Sequence, residues 1–425
     1  MDLYEHLFRR ESGRLIAALL RVFGLHNLAL AEDVAQDALC RALEVWKFHG
    51  PPANPAAWLM ATAKNRAVDV LRRERRLRTF APELGRLLES EWTLVPSVEE
   101  LFEPRALQDD LLRMMFSCCH PQLSEESQVS LILHILCGFG VGEVAGAFLA
   151  SEAATEKRLW RSKKVLAGSK RLVDVADDQG VRRRLPAVQR ALYLLFNEGY
   201  HGASPESGVR AELCHEAMRL TALLLEHPAT STPASRALLA LMCFHAARLP
   251  ARLDASGQLT SLFDQARALW DKNLIAEGER LLDLSATGPD LSEYHVQAAI
   301  AAIHSQACGA EDTNWRAIVT LYDTLMQVSP SPVVALNRAI AIGQLEGPDR
   351  GIEEIRAISG VERLGRYPFY YAAIGELELR RGRHQEAGTH FRAALALARN
   401  PMERQFLERR LVASQPQSGP KELPT

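Results

Sequence analysis

The sequence predicts an all-α protein in several parts. Three observations carry that prediction. Apolar residues recur with the helical period along almost the whole chain, turn signals cut the periodic runs apart, and no convincing apolar–polar alternation marks a strand. At roughly 150 residues per domain, 425 residues correspond to about three domains.

The elements follow in order. Leu3, Leu7, Leu15, Leu19 and Val22 make one amphipathic helix. Gly24 ends it, and Val34, Ala38, Ala42 and Val45 make a second. The Gly50-Pro51-Pro52 cluster breaks the chain, and Pro55 opens a third helix carrying Trp58, Thr62, Asn65, Val68 and Leu71. Residues 79–107 hold six acids against two bases, with Pro82, Pro96 and Pro104 among them, so they read as an acidic linker with at most one short helix. Residues 129–138 form an apolar helix, Gly138-Phe139-Gly140 turns, and a short helix runs from about Val141 to Leu149. Ser151 is the N-cap of a further helix with Thr155, Leu159, Ser162 and Leu166 inward. A smaller break falls near Asp177-Asp178-Gln179-Gly180.

Beyond residue 180 about ten more helices come in pairs. Gly375, Gly382, Ala387, Phe391 and Ala394 sit at tetratricopeptide offsets, where small residues permit close helix contact and one aromatic fills the gap. Ile318, Tyr322, Leu325 and Pro330 form a weaker copy. Such pairs stack into a solenoid because none buries its apolar face alone.

Composition narrows the function classes. Fifty basic against fifty-two acidic residues give a net charge of −2, so any case for nucleic acid rests on local charge. Seven cysteines with no CxxC spacing do not form a disulfide framework and fit a reducing cytoplasm; Cys40, Cys137, Cys214, Cys243 and Cys308 are expected in the core. The first residues lack a signal peptide's basic-then-apolar pattern, and the longest nearly apolar run, Val129 to Val141, is too short to span a bilayer. A cytoplasmic protein without membrane contact is expected.

Local charge is uneven. Residues 64–78 carry seven bases against two acids, and residues 156–171 seven against one. Either stretch reads as a solvated face or as a surface for a polyanion, whose phosphates would neutralise it with counterion release. Lys157, Arg158, Arg161, Lys163 and Lys164 are expected to point outward from the second helix of a helix-turn-helix arrangement, which fits a major groove about 12 Å wide. Near the first stretch lie Trp46, Phe48 and Trp58; basic side chains beside aromatics suit single-stranded DNA, while at this spacing the tryptophans also read as core.

Several segments together resemble bacterial sigma factors. Glu32-Asp33-Val34-Ala35-Gln36-Asp37 resembles their acidic helix, and Asn54-Pro55-Ala56-Ala57-Trp58-Leu59 with Ala63 to Arg73 resembles their promoter-melting, −10-reading segment. Residues 108–168 resemble their −35-reading helix-turn-helix domain. With no large domain between, the arrangement resembles the extracytoplasmic-function class, and residues 180–425 resemble the subgroup with a tetratricopeptide-like extension. The resemblance implies a region 2 domain at 1–78, a linker at 79–107, a region 4 domain at 108–175 and an extension at 181–425. It implies that Asp33, Gln36 and Asp37 bind core RNA polymerase at the β′ clamp, with the β flap as a second partner surface. Lys47 to Asn54 would hold a flipped base, and Trp58, Lys64, Asn65, Arg66, Arg72 and Arg73 would grip the −10 strand. Lys157, Arg158, Arg161, Lys163 and Lys164 would meet −35 promoter DNA. No covalent chemistry, and so no enzyme, is implied.

The pattern departs from that family at Gly140, where a Ser or Thr cap is usual, at Gly142 and Gly146, and at Thr155, where an apolar residue is usual. Cys118-Cys119-His120 cannot close on one tetrahedral metal from adjacent helix positions, and phosphate-loop, dinucleotide, hydrolase-elbow and zinc-protease motifs are missing. No metal or cofactor is expected. Glu198, Tyr200 and His201 read as a capping loop or a small polar site after a helix end. The competing function is a DNA-binding regulator with a sensing or scaffold solenoid and no polymerase contact. Under the sigma-factor resemblance the extension is expected to contact the sigma domains or polymerase, or to bind a signal.

Overall fold

The computed structural model describes residues 2–80, 104–148, 150–169, 172–173, 178–201, 209–309, 311–398 and 400–415. Eighteen α-helices and no strand occur among them, which agrees with the all-α prediction. The chain divides into two compact units, Met1–Leu195 with Arg219–Ser231, and Phe196–Met218 with Thr232–Thr425.

The first unit holds α1 (Asp2–Phe23), α2 (Leu28–His49), α3 (Pro55–Phe80), α4 (Pro104–Cys118), α5 (Glu125–Leu131), α6 (Val141–Ala147) and α7 (Glu152–Ala167). It also holds most of α8 (Asp178–His201) and part of α9 (Ala211–Glu226). Helix α1 is its axis and touches α2, α3, α4 and the turn of π-helix at Ile132–Leu136 that prolongs α5. Leu15, Leu19, Leu20 and Phe23 are fully buried along it. Its approach to the π turn is so close that a Cβ at Gly13 would lie 2.2 Å from the Leu136 carbonyl oxygen. Only glycine fits there, and a larger residue would have to push two backbones apart.

Three ion pairs tie distant parts of this unit together. Arg9 meets Glu143 at 2.9 Å, Arg21 meets the buried Asp110 at 3.5 Å, and Lys163 meets Glu32 at 2.7 Å. Helix α6 lacks a side-chain cap at Gly140, yet the Glu143 carboxylate accepts from the Gly140 backbone N–H at 2.8 Å, which is the reciprocal half of the capping box that a Ser or Thr would complete.

The second unit holds α10 (Pro233–Ala246), α11 (Lys272–Ser285), α12 (Glu293–Gln306), α13 (Trp315–Val328) and α14 (Pro332–Leu345). It continues with α15 (Pro348–Arg356), α16 (Pro368–Arg380), α17 (His384–Ala396) and α18 (Pro401–Ala413). Each helix packs on the next in sequence. Thr232, Ser331 and Asn400 each accept a backbone N–H of the first turn and precede a proline, a pairing that sets both the cap and the first helical φ. Two hairpin contacts repeat one chemistry: a Cβ at Gly375 would meet the Phe391 ring at 2.9 Å, and one at Gly278 would meet the Phe244 ring at 2.9 Å. Glycine lets each phenylalanine lie flat on the facing helix, and both rings are fully buried.

Several expectations change. Cys40 and Cys308 are exposed, not core: Cys40 lies on the outer face of α2, and Cys308 follows the end of α12. Helix α4 already begins at Pro104, a good first-turn residue, within the stretch read as linker. Residues 81–103, Leu149 and Asp177 lie outside the described residues, while Asp178, Gln179 and Gly180 of the expected break already belong to the first turn of α8. Helix α8 continues through His201, so Glu198, Tyr200 and His201 are its last turn and not a loop. No described helix is long and apolar enough to cross a membrane.

Candidate nucleic-acid interface

Helix α2 presents its acids because its apolar residues take the other side. Val34, Ala35, Ala38, Ala42 and Trp46 are buried, which leaves Asp33, Gln36 and Asp37 exposed. Helix α3 is ordered likewise: Leu59, Ala63 and Ala67 are buried, and Asn65, Arg66, Arg72 and Arg73 are exposed. The two faces meet. Arg66 Nε donates to Asp37 Oδ2 at 3.0 Å, and Asp33, Gln36, Asp37, Arg66 and Arg73 line one shallow groove. Residues expected to serve two partners, polymerase and DNA, therefore share one surface. Lys64 is half-buried and Arg72 lies 3.9 Å from Asp69.

The segment expected to hold a base is shorter than Lys47 to Asn54. Lys47 is in the last turn of α2, and the irregular stretch begins at Gly50. Asn54 Oδ1 accepts the Ala57 N–H at 3.1 Å and so begins α3. Trp46 is buried and meets the half-buried Trp58 edge-on, with ring centroids 5.5 Å apart. Phe48, by contrast, is 78% exposed and has the Lys47 ammonium 5.9 Å from its ring centre. The accessible aromatic at this loop is thus Phe48, whose position after the last buried turn of α2 was the signal for it.

Helix α7 buries Thr155, Leu159, Ser162 and Leu166, as its spacing predicts. Lys157, Arg161 and Lys164 are exposed beside Trp160, which is itself 64% exposed and carries the Lys164 ammonium over its ring at 5.2 Å. Arg158 and Lys163 do not point freely outward. Arg158 pairs with Glu126 at 2.9 Å and covers the Phe148 ring at 5.5 Å. Lys163 donates to Glu32 and to His134 Nε2 at 3.2 Å. Burial, and secondly the Lys163 charge, hold the His134 imidazole below its ordinary pKa. A neutral His134 is consistent with its contacts: Nδ1–H donates to the Phe139 carbonyl at 2.8 Å and Nε2 accepts from Lys163. The start of α2 and the basic face of α7 are therefore joined by one hydrogen-bonded chain.

Cys118 and Cys119 are buried; burial pushes the Cys118 thiol well up and the Cys119 thiol up to about 12. They are protonated at neutral pH and poor metal ligands in that form. Among the described residues no cluster of three His, Cys, Asp or Glu is disposed to hold a metal.

Comparison with known proteins gives three findings. Residues 7–77 match the family model described as sigma-70 region 2, and residues 184–286 match a family of unknown function, DUF6596. An uncharacterized protein of Rhizobium meliloti (strain 1021) is 39% identical over 404 residues, which cover 94% of each chain. The chain belongs to one family with that rhizobial protein, and its N-terminal part is a sigma-70 region 2.

Proposed function

We propose that the protein is a sigma factor of the extracytoplasmic-function type. In this reading it directs RNA polymerase to promoters and is regulated through its helical-repeat extension. The observation that carries the reading is the sigma-70 region 2 match over α1, α2 and α3, of which α2 and α3 bring the acidic and basic faces to one groove. Asp33, Gln36 and Asp37 engage core polymerase through charge-assisted hydrogen bonds. Phe48, Trp58, Asn65, Arg66 and Arg73 take the opened −10 strand, where unstacked bases need flat partners and phosphates need cations. Helix α7 acts as the reading helix of a helix-turn-helix made with α6, with Lys157, Arg161 and Lys164 on −35 phosphate or guanine edges.

In vitro transcription with sigma-free core polymerase and a promoter library tests the reading. Initiation at a defined promoter class is the expected result, and its failure at every promoter would end the idea. A DNA-binding regulator without polymerase contact is the competing reading. Pull-down of core polymerase that is lost in Asp33→Arg/Gln36→Arg separates the two. The regulatory role of the extension is tested by removing residues 232–425. That cut spares α8, whose Arg184 donates to the Phe116 carbonyl at 3.0 Å within the first unit. Promoter activity is expected to change with the helicity of the remainder intact; unchanged activity would remove the regulatory claim.

A further inference from the structure

Cations in the second unit are usually answered by acids. Arg280 pairs with Glu277, Arg338 with Asp323 and Glu354, Arg381 with Asp349 and Glu378, and Arg410 with Glu376. Arg248, Arg252 and Arg267 break the rule. Among the described residues no carboxylate lies within 4.0 Å of any of the three. Glu311 and Asp312 act on Arg267 only from a greater distance.

These three guanidiniums converge on two buried rings. Arg252 lies 4.6 Å and Arg248 5.9 Å from the centre of Tyr200, while Arg248 and Arg267 lie 5.4 Å and 5.0 Å from the centre of Trp270. Ring faces stabilise the cations by their quadrupoles but supply no acceptor for an N–H. In-plane acceptors are few. Arg248 Nε donates to Gln265 at 3.3 Å, Arg252 reaches His201 Nδ1 at 2.9 Å and the Tyr200 carbonyl at 3.5 Å, and Arg267 holds the carbonyls of His304 and Ala307. Both terminal nitrogens of Arg248 are left without a hydrogen bond, which is the fork that grips two oxygens of one oxyanion.

Two buried donors, Arg252 Nε and Trp270 Nε1, have no hydrogen-bond partner, and neither has Tyr200 OH, which can donate or accept. His245 Nδ1 and His304 Nδ1 are also unpartnered and, on neutral rings, each either donates or accepts. The unanswered donors call for a ligand that brings acceptors. Histidine behaviour agrees with an excess of positive charge. Burial first, and the neighbouring arginines next, hold His245 down to about 3 and His304 down to about 4.

We infer that Arg248, Arg252 and Arg267, set on Tyr200 and Trp270, form a binding site for a small tetrahedral oxyanion of the phosphate class, free or carried as a phosphomonoester. A tetrahedral anion presents oxygens in several directions to converging guanidiniums, which a single planar carboxylate cannot do. Tyr200 and Trp270 are only 2% and 4% exposed, so the site suits a small ligand and not a duplex. This inference does not depend on the sigma-factor reading.

Thermal unfolding of the full chain tests it, with phosphate or AMP exchanged for chloride at constant ionic strength. Both are expected to raise the Tm of the wild type and of Arg280→Gln, whose arginine is already paired. Neither is expected to raise that of Arg248→Gln/Arg252→Gln. If AMP acts and inorganic phosphate does not, the carried form is identified. Equal shifts in all three proteins, or none in the wild type, overturn the site. Should the double variant fail to fold, labelling of wild-type arginines by phenylglyoxal decides, read by peptide mass spectrometry. Severalfold protection of Arg248 and Arg252 by phosphate, with Arg280 unprotected, is expected; protection equal to that given by chloride overturns the site. Protection by an oligonucleotide alone would also overturn it, as a nucleic-acid contact.

Discussion

One group of cations in each unit stands out, and the two groups handle positive charge in opposite ways. In the first, cations line helix faces, and several are matched to an acid: the exposed Arg66 with Asp37, and the half-buried Arg158 with Glu126 and Lys163 with Glu32. In the second, three arginines turn toward buried aromatic rings with no carboxylate within 4.0 Å among the described residues. Exposed pairs are weak and exchange readily for a polyanion, because water already screens both charges. A half-buried, unmatched cluster is instead a fixed field, which depresses nearby bases whether or not a ligand is bound. The first arrangement suits a large partner that displaces many small contacts, and the second a small one that answers one concentrated charge.

The largest consequence is expected in acid. His245 and His304 are held at about 3 and about 4 in the folded chain, below the ordinary value of a free histidine near 6.5. A depressed histidine binds fewer protons folded than unfolded. Stability is therefore full above about pH 6.5 and falls as the pH drops toward the folded values. Between pH 7 and pH 4 the two groups together remove on the order of 5 kcal/mol, at about 1.4 kcal/mol per unit. Hydrogen exchange read peptide by peptide should show the second unit opening first. Earlier opening of the first unit would contradict the contrast.

Next in size is the loss of DNA affinity when the unmatched cations of α7 are reversed. Arg161→Glu/Lys164→Glu removes two exposed positive charges that make no ion pair among the described residues. Binding to promoter duplex should weaken by tenfold or more, and the slope of log K against log salt should fall by about 1.8. An unchanged salt slope would take α7 out of contact with phosphate.

Much of this was legible in the sequence, and the missing part has a common cause. The helical period gave the all-α fold, and the spacing of Thr155, Leu159, Ser162 and Leu166 gave the buried face of α7. The exposed positions of Asp33, Gln36, Asp37, Arg66 and Arg161 followed from the same rule. Partners did not. Glu32 meets Lys163 across 131 positions, and Tyr200, the Arg248–Arg252 turn and Trp270 come from three separate segments. Periodicity states which way a residue faces but carries nothing about what it will face. Gly13 was a usable clue that went unread: a glycine inside a long amphipathic helix costs about 1 kcal/mol and marks a close approach.

A smaller effect, of opposite sign, tests the role of pairing in the first unit. Glu32→Gln removes the acid that holds Lys163 while leaving the lysine and its helix in place. Lys163 and Glu32 are 28% and 24% exposed, so solvent screening limits the pair to roughly 1 kcal/mol or less. Freed from its partner, Lys163 joins Arg161 and Lys164 on the open face of α7. Duplex affinity should then rise about threefold, as expected for about 0.6 kcal/mol, and the salt slope should steepen by up to about 0.9. The bond from Lys163 to His134 gives the prediction a second handle. Once acid protonates His134, which burial and the Lys163 charge delay to below the ordinary histidine range, it repels the lysine in wild type and variant alike, so the difference between them should narrow. A variant that binds DNA no better at any pH would mean that the lysine stays with His134, and that matched charge at this seam serves the fold and not access to DNA.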